Sequence, residues 1–111
     1  LAVIDKEVAD AIRFIRNNAK NKIQIKDVVN QTCLGRRSLE NRFKKTTHRT
    51  ISQEIRRVRT EMIKRMLIET NLSVSEITSM FDFTGIEHIA RYFRKENGLS
   101  LIQFRKLSQK H

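Results

Sequence analysis

The sequence repeats itself. Asp27 and Val28 recur as Glu76 and Ile77, and Leu34 recurs as Phe83, at an offset of 49. After the next turn the offset becomes 50: Leu39 matches Ile89, Phe43 matches Phe93, and Lys44-Lys45 matches Arg94-Lys95. Each copy reads as a short helix, a tight turn, and a second helix ending in Phe and two basic residues. The second turn is expected to be one residue longer than the first. Two similar lobes follow from this pattern.

Composition favours helices for both lobes. Proline is absent, and Gly35, Gly85 and Gly98 are the only glycines in a chain rich in Lys, Arg, Glu, Leu and Ile. Apolar residues recur at helical rather than alternating spacing. Val8, Ile12, Ile15 and Ala19 form one stripe; Ile51, Ile55, Val58, Met62 and Met66 form another. A Ser or Thr followed three residues later by Glu or Gln can satisfy two orphan N–H groups at a helix start. That box stands at Thr50/Gln53, Ser73/Glu76, Thr84/Glu87 and Ser100/Gln103. Asp5 can cap an earlier helix, and Gly35 sits where another begins. The predicted helices are 6–18, 26–32, 36–46, 51–69, 74–81, 85–96 and 101–108. The fold class is therefore all-α, with lobes at 6–50 and 70–111 joined by a long helix at 51–69.

Charge narrows the partner. Lys and Arg number 23 against 12 Asp and Glu, a formal net charge of +11 on 111 residues. Such an excess points to a polyanion, and nucleic acid is the commonest. From Arg36 to Arg65 eleven basic residues face three acidic ones, so most of the excess is concentrated there. The single Cys33 excludes an internal disulfide, and scattered His48, His88 and His111 provide no metal-binding spacing. No cofactor is expected. A reduced, intracellular setting fits. The longest apolar runs, such as Leu1–Ile4, are too short to cross a membrane, and no signal peptide is expected. A start at Leu1 rather than Met reads as a fragment of something longer.

Two short helices, a tight turn and a basic second helix describe a helix-turn-helix, whose second helix enters the DNA major groove. With Leu39 and Phe43 facing the core, Arg36, Arg37, Glu40, Asn41 and Lys44 are left on the open face. With Ile89 and Phe93 inward, Glu87, His88, Arg91, Arg94 and Lys95 are left on the other. Two such helices fixed by one long helix would enter successive major grooves about 34 Å apart. A helix over 51–69 spans about 28 Å, so a single copy is expected to protect a non-palindromic site.

On these residues the chain resembles the AraC/XylS-type family of bacterial transcription activators, from about residue 6 to Arg105. The most specific stretches are Leu-Ser-Val-Ser-Glu-Ile (72–77), Phe83, Phe-Arg-Lys-Glu-Asn-Gly (93–98) and Phe104-Arg105. Leu-Glu-Asn-Arg-Phe-Lys-Lys (39–45) and Arg-Arg-Val-Arg (56–59) match the first unit and the start of the linker. Residues 11–19 are similar to the xylose-operon regulators within that family. The resemblance implies homeodomain-like lobes whose second helices both insert into double-stranded DNA. It also implies RNA polymerase as a partner, and a sensing or dimerising domain ahead of Leu1 that receives the effector. A cytoplasmic, nucleoid-associated activator of a carbohydrate-utilisation operon is the expected whole. Where the family usually has glycine, this chain has Cys33, His48 and Asp82. It has Ile51 and Leu101 in place of proline, Gly35 in place of serine and Thr78 in place of alanine.

Carried onto this sequence, the base-contact candidates are Arg36, Arg37, Glu40, Asn41, Glu87 and Arg91. Arg91 falls where the family places a base-contacting arginine and can pair bidentately with guanine, or it can hold a phosphate. Asn41 suits adenine. Glu40 can accept from cytosine or form a helical ion pair with Arg36 or Lys44. Glu87 is at a reading position, but its place in the Thr84 capping box is the favoured reading. His88 is expected to be partly buried. Lys44, Lys45, Arg49, Arg94 and Lys95 are phosphate-contact candidates. At least one of Arg56, Arg57 and Arg59, on the linker helix, is expected to pack between the units rather than touch DNA. Met62, Met66 and Met80 read as core and Cys33 as a small packed residue.

Other classes fit less well. An RNA-binding or ribosome-associated protein would expose stacking aromatics, whereas the six Phe and one Tyr mostly fall at core spacing. A membrane-surface protein would need an unpartnered apolar face. Carboxylate pairs, nucleophile–base sets and phosphate loops that would mark an enzyme do not occur.

Overall fold

A computed structural model describes residues 5–109; Leu1–Ile4 and His111, named above, lie outside the described residues. Seven helices and no strand occur among the described residues. They are α1 (Lys6–Asn18), α2 (Ile25–Val29), α3 (Arg36–Thr47), α4 (Ile51–Glu69), α5 (Val74–Met80), α6 (Ile86–Asn97) and α7 (Leu101–Ser108). Two compact units divide the chain at Val58/Arg59, inside α4. No helix among the described residues is long and apolar enough to cross a membrane.

Local chemistry explains most helix starts. The Asp5 carboxylate accepts from the N–H groups of Glu7 (3.0 Å) and Val8 (3.4 Å), capping α1. Reciprocal boxes form at Thr50/Gln53, Ser73/Glu76 and Ser100/Gln103, as the spacing predicts. Thr84/Glu87 does not form one. Gly85 is the N-cap of α6 and offers no side chain, while the Thr84 hydroxyl lies 3.2 Å from His88 Nδ1.

In the first unit, Val8, Ala11 and Ile15 of α1, Val28 of α2, and Leu39 and Phe43 of α3 are buried with Ile51, Ile55 and Val58 of α4. Ile12 is only half-buried; Ala11 takes the inward position instead. α2 begins a residue early and stops three before the expected end. Asp27 accepts from the Gln24 N–H at 2.7 Å to start it. It ends in i→i+3 bonds from Gln31 and Thr32, and the Thr32 hydroxyl also takes the Val29 carbonyl. The Cys33 N–H donates to Glu7 Oε2 at 2.7 Å, and Cys33 itself is exposed, contrary to the packed role expected for it.

In the second unit, Ile63 and Leu67 of α4 pack with Ile77, Phe81, Phe83, Ile89, Phe93 and Leu101, and Met62 and Met66 lie half-buried against this cluster. Met80 is exposed rather than core. The register slip between the repeats does not lengthen the second turn. α5 has seven residues against five in α2, and the segment after it, 81–85, is shorter than 30–35. Across the far end, Arg105 of α7 donates to the backbone carbonyls of Leu67 (3.0 Å), Met66 (3.5 Å) and Thr70 (3.3 Å).

The departures from the family pattern acquire reasons here. Ile51 and Leu101 are the first residues of α4 and α7, where proline is favoured; both are buried, so apolar packing replaces the preset φ. Thr78 is buried and satisfies its hydroxyl on the Val74 carbonyl at 2.6 Å. Each long second helix ends on a left-handed residue: Gly98 (φ 79°) after α6 and His48 (φ 62°) after α3. Asp82 (φ 60°) is the other non-glycine residue in that region among the described residues. Left-handed backbone costs an L-residue about 1–2 kcal/mol, part of which glycine returns through its greater unfolded-state entropy. His48→Gly should therefore raise the stability of the first unit by about 0.5–1 kcal/mol. Urea unfolding measures it; an unchanged or lower midpoint would show that the His48 side chain compensates the strain.

Candidate nucleic-acid interface

α3 and α6 are equivalent helices with equivalent faces. Leu39 and Phe43 anchor α3, Ile89 and Phe93 anchor α6, and all four are fully buried. The spacing of these anchors turns the other side of each helix outward. On α3, Arg36, Arg37, Asn41, Lys44 and Lys45 are exposed and Glu40 is half-buried. On α6, Glu87, Arg91, Arg94 and Lys95 are exposed. Glu40, Asn41, Lys44 and Lys45 line one open depression together with Thr50. Glu87, His88 and Arg91 line another with Thr84, Gly85 and Ile86. Each depression lies within its own unit.

Several individual assignments change. Arg36 Nε lies 3.6 Å from Glu40 Oε1, so the helical ion pair weighed for Glu40 is made. Both side chains remain open to solvent, where such a pair is worth only a few tenths of a kcal/mol, about 0.3–0.5. Glu87, without its capping partner, stands free of the structural role favoured for it. His88 is half-buried, edge-on to Phe83 with ring centroids 4.9 Å apart. Arg42, absent from the candidates, turns to the opposite side and reaches Asp5 at 3.4 Å.

Arg49 is the candidate that the structure draws away from the open face. Its Nε donates to Glu54 Oε1 at 2.7 Å. Arg57 donates to the same carboxylate twice, from Nε and from a terminal nitrogen, each at 2.8 Å. Glu54 is 2% exposed. Burial by itself would push its carboxyl up, but the hydrogen bonds and charges of Arg57 and Arg49 outweigh that and hold it below the usual glutamate value.

In the second unit the buried cation is Arg59. It donates to the Phe81 carbonyl at 2.8 Å and lies 4.8 Å from the Phe83 ring centroid and 5.8 Å from that of Tyr92. Burial lowers its pKa, opposed by Tyr92 and Asp82. It thereby supports the Phe81–Phe83 turn that delivers α6. The sequence places one of Arg56, Arg57 and Arg59 between the units; Arg59 is instead buried against residues of the second unit itself. Among the described residues no group of three or more His, Cys, Asp or Glu is placed to hold a metal.

Comparison with known proteins agrees with this geometry. A family profile described as a helix-turn-helix domain matches residues 28–107. The xylose operon regulatory protein of Haemophilus influenzae is 30% identical over 104 residues, covering 94% of this chain and 27% of that protein. The chain thus spans about a quarter of the length of the xylose operon regulatory proteins it matches. A solved xylose-binding transcription activator, xylR, superposes with a TM-score of 0.86 at 27% identity, over 99% of this chain and 29% of that one. The DNA-binding domain of AdpA, solved in complex with a target DNA, shares the fold. Its TM-score is 0.81 at 19% identity, with 91% of each chain covered. The repeat, its paired basic faces and these matches together place the chain in the AraC-type helix-turn-helix family of DNA-binding transcription regulators.

Proposed function

We propose that α3 and α6 read double-stranded DNA as the output domain of a bacterial transcription activator that controls a carbohydrate-utilisation operon. The observation that carries this reading is the equivalence of two outward faces, each rich in Arg and Lys, on helices anchored by the same buried pair. Arg36, Arg37, Glu40, Asn41, Glu87 and Arg91 make base contacts. Lys44, Lys45, Arg94 and Lys95 hold phosphates; Arg49 joins them only with the guanidinium edge not engaged by Glu54. The lobes are 6–50 and 70–111, with 51–69 as linker. The similarity to xylose regulators supports a sugar effector received by a domain outside this chain, with RNA polymerase as partner and a cytoplasmic site of action.

Base and phosphate roles separate by experiment. Arg91→Ala should weaken the preferred site by about 1–3 kcal/mol and relax selectivity at one base pair. Lys45→Ala should weaken all duplexes alike and reduce the salt slope by about one counterion. Fluorescence anisotropy across a salt series measures both. Equal, sequence-independent losses would reduce Arg91 to a phosphate contact. Tighter binding to single-stranded RNA than to duplex DNA at equal salt would overturn the reading altogether.

A further inference from the structure

The two outward faces share their position and their basic ends but not the chemistry of their first turns. α3 opens with Arg36 and Arg37, whereas the equivalent residues of α6, fifty positions later, are Ile86 and Glu87. Ile86 is 52% exposed, one of five large apolar side chains left open to solvent among the described residues. It does not pack into the second unit's core, although Ile89, three residues on, is fully buried. It borders the same depression as Glu87 and Arg91. An exposed branched side chain at the edge of a depression that also holds a carboxylate and an arginine gains nothing from water and cannot bond a phosphate.

The major groove offers one apolar feature to such a side chain, the C5-methyl of thymine. We propose that Ile86 is a specificity-determining residue that packs against a thymine methyl. This inference rests on α6 entering the major groove, as proposed above. Glu87 beside it cannot approach phosphates without repulsion, so its carboxylate is confined to base-edge donors such as cytosine N4. The second unit therefore selects pyrimidine features through the first turn of α6. The first turn of α3, with two arginines, favours guanine.

The 111-residue chain can be used to select duplexes from a random pool, after which each thymine in the selected site is replaced in turn by deoxyuridine. Removing a methyl that Ile86 covers should weaken binding about fourfold, as expected for one buried carbon. The sensitive thymine should lie within about two or three base pairs of the position that Arg91→Ala relaxes, because five helical residues rise about 7.5 Å. Ile86→Ala should bind the thymine duplex about as weakly as the unchanged chain binds the deoxyuridine duplex, and should no longer discriminate between them. Because Ile86 is exposed and alanine favours helix, the variant should keep its circular dichroism and unfolding midpoint. Methyl removal without effect on the unchanged chain, or equal methyl sensitivity in Ile86→Ala, would overturn the assignment while leaving DNA reading intact. Selection of no sequence would remove DNA reading and Ile86's role together.

Discussion

Arg57→Ala should cost the first unit about 3 kcal/mol, because it strands a buried carboxylate. Glu54 is almost inaccessible to water, and two of its three charged hydrogen bonds come from Arg57. Arg49 alone would then serve a group whose second oxygen has lost its donor. The loss should also depend on pH. In the unaltered fold the carboxyl sits below the usual glutamate value, so its ion pairs stabilise the unit above the ordinary pKa of about 4.3. That contribution fades as pH falls through the lowered folded value. Without Arg57, burial pushes the carboxyl up, protonation relieves the stranded charge, and the gap between the proteins narrows on acidification. Urea titrations at pH 7 and near pH 4 measure this. A gap that stays constant or widens towards acid would show that Arg57 contributes packing rather than charge.

Arg59→Ala should be as damaging to the second unit, again by about 3 kcal/mol. The guanidinium supplies a charged hydrogen bond to the Phe81 carbonyl and stacks beside Phe83 and Tyr92. Desolvated cation–π contacts are worth about 2 kcal/mol, and a charged hydrogen bond about 1.5–3, before the cost of holding the cation away from water is subtracted. Arg59→Met separates packing from polarity: it refills the volume and leaves the carbonyl unpaired, for an expected loss of about 1–2 kcal/mol. Hydrogen exchange at the α5 and α6 amides follows the unit directly. If Arg59→Met matched the original stability, the guanidinium would be a solvation burden that the aromatic cluster merely tolerates.

These two arginines mark how far local reading extends. Helix starts were legible because a capping box is a four-residue event, and outward faces were legible because i, i+4 spacing determines them. Seven helices follow from those rules, most within a residue or two of their ends. The Thr84/Glu87 box failed because the cap moved one residue on, to Gly85, while Phe83 turned into the core. Met80 and Cys33 were assigned to the interior on residue type, yet their exposure is decided by which neighbours arrive. Arg59 and the Phe81 carbonyl are 22 residues apart, a pairing that periodicity does not encode. Ile86 lies outside the polar residue types that hydrogen bonding to base edges singles out, and only its exposure reveals it.

The Arg105 clasp has a consequence for how the protein can be lost. α7 is only eight residues long, yet its arginine donates to the carbonyls of Leu67 and Thr70 at the C-terminal end of α4, and to that of Met66, which also accepts from the Thr70 N–H. Its Leu101 belongs to the same apolar cluster as Phe93. A protease cutting between α6 and α7 therefore does not trim a dispensable tail. Such a cut would remove Leu101 from the apolar cluster and Arg105 from the end of α4 together, so the expected loss is that of the second unit as a whole rather than gradual wear. A chain that stops before Arg105 should therefore keep the first unit while its second unit loses the contacts that close it.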